Sequence, residues 1–314
     1  MELGRQKKVK KKQSSIFKGN AWQVYSLGFI PLLLIFIFNY IPMFGIIIAF
    51  KDYRYDKGIF GSKWIGLKNF EVFLKSRDFV NITRNTLVLN AIFIIMGIIA
   101  AVLVAILLYE ITSRRATKIY QTILITPHFL SWVVVGSMVY AFLHPSNGLI
   151  NALIGKFGIE ANDWYAKPGA WPVILTIASV WKHVGMDSVM YYASLMSIDS
   201  SLYEAADFDG ANKLKKNIYV TLPHLKSLIV MLTILKIGGI FRADFGLFFQ
   251  LTRDSGALYD VTDVMDTYIF RTMRVVGDYG LSSAMGIIQS VVGMVLVLIV
   301  NHITNKIDSD SALF

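Results

Sequence analysis

The chain contains no cysteine. Disulfides, thiolate metal sites and cysteine nucleophiles are therefore excluded, and the redox compartment stays open. Charge is scarce as well: 17% of the 314 residues are charged, where a soluble domain carries about a quarter. Enzyme signatures are missing too. A phosphate-binding loop needs G-x-x-x-x-G-K-[ST]. The nearest approach, Gly148 to Phe157, has the wrong spacing and no hydroxyl after Lys156. The chain has no ATP site of its own, and it contains neither H-E-x-x-H nor G-x-S-x-G.

What is present is apolar sequence, 55% of the chain, blocked into long uncharged runs. About 20 mainly apolar residues suffice to cross a bilayer. The runs predict an all-α, polytopic membrane protein with six transmembrane helices: 25–49, 85–109, 119–143, 171–198, 225–248 and 281–303. Pro31, Asn39 and Pro42 are expected to kink the first. Lys182, His183 and Asp187 interrupt the fourth, and Lys236, Arg242 and Asp244 charge the fifth. Between spans, 51–84 predicts a small cap or interfacial helix, and 149–157 a short surface helix after the turn at 144–148. No internal repeat is visible, which argues against a secondary transporter built from paired halves.

The net charge of +10 is concentrated partly in a basic tail at 1–20: Arg5, Lys7, Lys8, Lys10, Lys11, Lys12 and Lys18. Beside a first span this is a positive-inside anchor on the lipid surface, not a nucleic-acid arm. The apolar stretch that follows is too long for a signal peptide and lacks a small-x-small cleavage site. An even number of spans then places both termini in the cytoplasm. Fifteen Lys and Arg fall on that side and thirteen on the other. So narrow a margin orients little, and the distinctly basic 110–118 loop carries the assignment. The division is a tail at 1–20, a first span with an external segment at 21–84, a membrane domain at 85–305 and a short tail at 306–314. Trp22, Tyr25, Tyr109, Tyr120 and Trp171 read as interfacial anchors.

One polar segment, Ser201 to Pro223, separates two apolar spans. Ser201 and Glu204 have the spacing of a capping box, which predicts a helix from Tyr203 to Phe208. Asp209-Gly210 supplies a positive-φ stop. A Lys-rich helix follows from Ala211 to Val220, and Pro223 ends it. This is a rigid, basic helix-turn-helix of the kind another protein grips.

Charges inside spans face the bundle interior, each other or a water-filled path. His183, Asp187 and Tyr191 recur at i, i+4 and i+8, with Trp181 alongside and Lys236 and Arg242 in the next span. They predict either a hydrated passage for a polar solute or structural pairing, such as Asp187 with Lys182, Lys236 or Arg242. The basic excess hints at an acidic solute. His183 and Asp187 with His128 also leave a metal site conceivable, but a polar cavity face is the simpler reading, and no metal is expected.

Glu204-Ala-Ala206, Asp209-Gly-Ala211 and Leu222-Pro223 together resemble the EAA loop of permease subunits of bacterial ATP-binding-cassette importers. Further stretches resemble the oligosaccharide and polysaccharide permeases of the maltose-type branch: Pro127-His-Phe-Leu-Ser-Trp-Val-Val-Val135, Pro145-Ser-Asn-Gly-Leu-Ile-Asn151, Ser179-Val-Trp-Lys-His-Val-Gly185, Ile237-Gly-Gly-Ile240 and Asp263-Val-Met-Asp-Thr-Tyr-Ile-Phe-Arg271. The likeness runs from Tyr25 to Lys306. Two positions depart from the pattern: Asn217 stands near a usually aromatic or aliphatic site, and Ser227 where a second proline is frequent. The resemblance implies a subunit of the bacterial cytoplasmic membrane that moves oligosaccharides by alternating access. It also implies a second homologous permease, two cytoplasmic ATPase subunits that use ATP and Mg, and an extracellular solute-binding protein. Glu204, Ala205, Ala206, Asp209, Gly210, Ala211, Leu222 and Pro223 would dock on an ATPase subunit, Glu204 meeting a basic residue there. The alternatives are a permease for peptides or phosphorylated sugars, and a polytopic membrane enzyme using His183 and Asp187.

Overall fold

A computed structural model describes residues 21–307. The basic tail at 1–20, the side chain of Trp22 and most of the 306–314 tail lie outside the described residues. Among the described residues the fold is helical, apart from a two-residue antiparallel ribbon pairing Lys51 with Trp64 and Asp52 with Lys63. Helix α1 (Ala21–Ile35) passes through a π turn at Phe36–Tyr40 into a 3-10 helix at Ile41–Phe50. Pro42 explains the change of winding. It has no N–H, and its ring pushes back the carbonyl four residues earlier, so the helix widens before it and tightens after it.

The 51–84 segment forms the expected cap. Phe50 packs on Trp64 and Phe70, at 5.6 and 5.2 Å between rings, and the Asn69 amide donates to the Ala49 and Lys51 carbonyls. Helix α2 (Arg77–Tyr109) begins earlier than the uncharged run, because the Ser76 hydroxyl caps it by accepting from the Phe79 N–H at 3.2 Å.

The third uncharged run is not one straight helix. Helix α3 (Arg114–Ile125), with a 3-10 extension at Thr126–Phe129, meets α4 (Trp132–Leu143) at a 95° bend. The bend has local causes. Pro127 restricts the chain, and Ser131 starts a fresh helix by accepting from the Val134 N–H. Conversely, the interrupted fourth run is a single helix, α5 (Trp171–Leu195), running unbroken past Lys182, His183 and Asp187.

Helix α6 (Ser200–Phe208) is capped by Asp199, whose carboxylate accepts from the Ser201 N–H at 2.9 Å. That corrects the capping box expected at Ser201 and Glu204. Helix α7 (Lys213–Gly238) corrects two further expectations. The fifth span starts well before Leu225 and stops at Gly238, and Pro223 does not end a helix. A π segment at Asn217–Thr221 opens the winding just ahead of Pro223, which then occupies a first-turn position of the α-helix that continues. Helix α8 (Phe245–Thr252) and helix α9 (Tyr279–Ile307) complete the bundle.

Length and apolarity identify four spans among the described residues, and five if the bent α3–α4 pair is one. Six is reached only by adding α5, whose 25 residues extend about 37 Å but carry three ionisable side chains. Close packing locks α5 to α3. A Cβ on Gly185 would lie 2.0 Å from the Leu124 carbonyl oxygen, so only glycine allows the two backbones to meet.

Candidate functional site

Two regions hold the predicted residues. The first is the polar loop. Gly210 has φ +69°, a conformation that L side chains rarely adopt. The Ala211 N–H donates to the Ala206 carbonyl at 2.9 Å, and the Gly210 N–H to the Asp207 carbonyl at 3.0 Å. This is a Schellman stop on α6. Asn212 then restarts the chain as a helix, accepting from the Lys215 N–H at 2.9 Å. The two short helices are clamped together by an Asp207–Lys216 ion pair and by a 3.0 Å hydrogen bond between the Tyr203 and Thr221 hydroxyls.

The loop is also tied to the bundle. Glu110, just past α2, accepts from Asn217 at 3.1 Å and pairs with Lys213 at 3.4 Å. The Asn217 amide, with help from Lys213, holds the Glu110 carboxyl below the usual carboxylate range. Tyr109 packs on Tyr203 at 5.9 Å. Asn217, the departure from the family pattern, therefore has a job: it bonds α7 to the end of α2. Glu204 projects into solvent near Phe208, one turn further on and 93% accessible. This carboxylate has no hydrogen-bond or ion-pair partner among the described residues.

The second region is a cavity of about 340 Å³, lined by Asn90, His183, Asp187, Lys236, Arg242 and Asp244 among others. Asp187 and Lys236 form an ion pair at 2.5 Å, joining α5 to α7. Gly238 and Gly239 end α7, and the non-helical stretch that follows is satisfied by polar side chains. The Asn90 amide donates to the Ile240 and Arg242 carbonyls at 2.7 and 3.3 Å. Gln289 donates to the Phe241 carbonyl, and Asp266 accepts from the Ala243 N–H, both at 2.7 Å. Asp244 restarts the helix as the cap of α8 and accepts from the Trp132 indole at 2.7 Å. The Arg242 side chain is exposed, and its guanidinium makes no hydrogen bond or ion pair among the described residues.

The remaining predicted pathway residues lie elsewhere. Tyr191 is 1% exposed and packs with Leu195 and Leu225 near the polar loop. Over eight residues a helical stripe drifts by about 80°, which turns Tyr191 off the face of His183 and into the core. Trp181, two residues from His183 and so about 200° around the helix, lines a separate apolar groove with Met138 and Phe142. Lys182 does not pair with Asp187. Its ammonium donates to the carbonyls of Pro127, His128 and Leu130, at the end of α3 and its extension. His183 and His128 have ring centroids 5.8 Å apart, but no group of three or more metal-ligating side chains occurs among the described residues.

Asn90, Gln289 and Asp266 were not anticipated. Asn90 and Gln289 were detectable as lone amides in otherwise apolar runs, where a polar side chain needs a reason.

A bent-helix bundle with a cavity bearing charged side chains and a rigid, solvent-facing polar loop fits a membrane transport subunit. Residues 93–309 match the family described as binding-protein-dependent transport system inner membrane component, and the chain belongs to that family. Its members are permease subunits of ABC transporters in the inner membrane and are not themselves enzymes. The chain is 36% identical over 270 residues to the polygalacturonan/rhamnogalacturonan transport system permease protein YteP of Bacillus subtilis (strain 168), covering 86% of this chain and 84% of that one. It is 33% identical to the protein LplB of the same strain, covering 93% and 91%. Among solved structures, a bacterial ABC transporter involved in import of the acidic polysaccharide alginate superposes with TM-score 0.83 at 31% identity, covering 95% of this chain and 99% of that chain. The same kind of transporter has been solved with an alginate pentasaccharide-bound periplasmic protein, at TM-score 0.82.

Proposed function

We propose that this chain is one membrane half of an ATP-driven importer that takes up acidic oligosaccharides derived from a polysaccharide. The observation that carries the reading is the cavity at the break between α7 and α8, where Arg242 presents an exposed guanidinium that forms no ion pair among the described residues. The relatives that transport polygalacturonan and alginate support the same solute class. The importer contains six spans per permease, with α5 as the fourth, and both termini in the cytoplasm. A second homologous permease completes the passage. Two ATPase subunits bind ATP and Mg and grip the loop through Glu204, Ala205, Ala206, Asp209, Gly210, Ala211, Leu222 and Pro223. A separate extracellular protein delivers the solute.

In this mechanism the loop is the input. The clamps at Asp207–Lys216, Tyr203–Thr221 and Glu110–Asn217 make the two short helices move as one body with the ends of α2 and α7. Displacement of the loop is thereby transmitted to Lys236 and the α7–α8 break, which walls the cavity. Each state is favoured by its own contacts, so ATP shifts the population toward the one its bound ATPases fit.

The test is reconstitution of the full complex in proteoliposomes with its binding protein. ATP-dependent uptake of oligogalacturonate is expected, and Glu204→Lys should abolish it. Normal uptake by that variant would remove the docking role of the loop, and uptake of glycerol phosphate or peptides in place of oligosaccharides would replace the solute class.

A further inference from the structure

A second polar groove, of about 280 Å³, lies on the seam between α4 and α8, lined by Val133, Gly136, Ser137, Phe249, Gln250 and Arg253. The helices touch at Gly136, where a Cβ would stand 2.8 Å from the Gln250 carbonyl oxygen. Ser137 is exposed. The carboxamide of Gln250 and the guanidinium of Arg253 have no hydrogen-bond partner among the described residues. Polar groups left open at this level of a membrane bundle face water or a ligand rather than lipid.

Arg253 is held there by an unusual turn. Arg253 and Asp254 have φ +55° and +50°, both in the left-handed region that side chains avoid. The turn stops α8 and sends the two neighbouring charges apart. Asp254 is engaged by Arg271 at 2.9 Å and by the Tyr259 hydroxyl at 3.1 Å. Arg253 instead lies over the Tyr140 ring, 4.1 Å from its centroid. The adjacent acid is thus taken by another arginine, and the charge of Arg253 stays uncompensated. Its planar fork, beside the donors of an open amide, matches the geometry of a carboxylate. Phe249, stacked on Phe245 at 4.9 Å, flanks the groove with an apolar surface for a sugar face.

Arg242 and Arg253 stand before and after α8, whose eight residues rise about 12 Å, the length of a short oligosaccharide. We propose that Arg253 and Gln250, in the groove lined by Ser137, form a second carboxylate subsite for an acidic oligosaccharide, so that α8 is a rail holding a polyanionic chain at two points. The subsite rests on the import reading above and extends it to residues remote from the first cavity.

The cysteine-free chain makes a direct test possible. In the complete reconstituted importer, Ser137→Cys is labelled with a negatively or a positively charged methanethiosulfonate of similar size. The anionic reagent is expected to react several-fold faster, and Arg253→Gln should erase that preference. Tetragalacturonate should slow labelling, and its fully methyl-esterified form should not. In uptake assays the acid-to-ester ratio should fall about tenfold in Arg253→Gln and recover in part in Arg253→Lys, which keeps the charge but not the fork. Absence of a charge preference, equal protection by acid and ester, or a parallel loss of both uptakes would overturn the subsite and leave the import reading standing. Wild-type complex that moves neither oligomer would remove both.

Discussion

The Asn217 amide donates to the Glu110 carboxylate at 3.1 Å, joining the start of α7 to the end of α2. One hydrogen bond to a charged group is worth about 1.5–3 kcal/mol at most in a folded protein, and this one is partly exposed, so its effect on global stability is small. Its effect on transmission is larger, because it couples the loop to α2. Asn217→Ala and Glu110→Ala should leave the amount of folded subunit nearly unchanged while raising ATP consumed per solute imported several-fold. Uptake and ATPase assays on the same proteoliposomes read that ratio, and an unchanged ratio would mean the tie transmits nothing. The same bond gives a pH signature. The folded-state pKa of Glu110 is depressed, so its contribution is present above the ordinary carboxylate range and is lost as pH falls through the lower, folded value. Coupling should therefore weaken on acidification below that range in wild type, but not in Glu110→Gln.

Gly210 fixes the angle between the two short helices. A Cβ there would meet nothing within 4 Å, so the obstacle to substitution is the backbone at φ +69° and not space. Gly210→Val should cost about 1–2 kcal/mol in the loop and lower co-purification with the ATPase subunit, whereas Gly210→Asn, which tolerates this conformation better, should retain most of it. Equal recovery of partner by all three proteins would show that loop rigidity is unimportant.

Asp187 and Lys236 form a pair facing a cavity, and removing one partner leaves the other charged and uncompensated. The pair is partly solvent-screened, so Asp187→Asn is expected to lower the thermal midpoint in detergent only modestly, corresponding to about 1 kcal/mol. Swapping the two as Asp187→Lys with Lys236→Asp should restore much of it. A double variant no better than the singles would show that the pair is not what stabilises this junction.

The sequence located most helices but not their joints. Uncharged runs mark where membrane is crossed, and they identified the regions of α1, α2 and α9 closely. The 95° bend between α3 and α4 lay hidden because both arms are equally apolar, although Pro127 and the Ser131 cap were legible as punctuation. The reverse error affected α5. Lys182 looks like an interruption in one dimension, yet the polar atoms that satisfy it belong to another helix. In the site, the ion pair of Asp187 was readable down to a short list of partners, whereas Asn90 and Gln289 act on the backbone of a break that periodicity does not reveal. The polar loop was the most legible part, since its turn depends on local chemistry at Asp209 and Gly210. Its cap moved to Asp199, and its second helix runs on through Pro223 instead of ending there.

Lys182 supplies the last prediction. It is 5% exposed, and its ammonium collects the carbonyls of Pro127, His128 and Leu130 where α3 stops. Those carbonyls belong to the end of a helix and carry its partial negative charge. Trp132, the first residue of α4, lies beneath the same ammonium at 5.1 Å and donates its indole N–H to Asp244. One cation therefore pins the α3–α4 bend against α5 and, through Trp132, against the α7–α8 break. Lys182→Met keeps the apolar stem and removes the charge, leaving three carbonyls without their donor inside a bundle. We expect a loss of about 3 kcal/mol or more, read as a lower thermal midpoint of the purified subunit and faster proteolysis at the 126–131 bend. Lys182→Arg should recover only part of it, because a planar fork directs its hydrogens in one plane while these carbonyls converge on a point donor. A Met variant as stable and as protease-resistant as wild type would show that the bend is set by Pro127 and Ser131 alone.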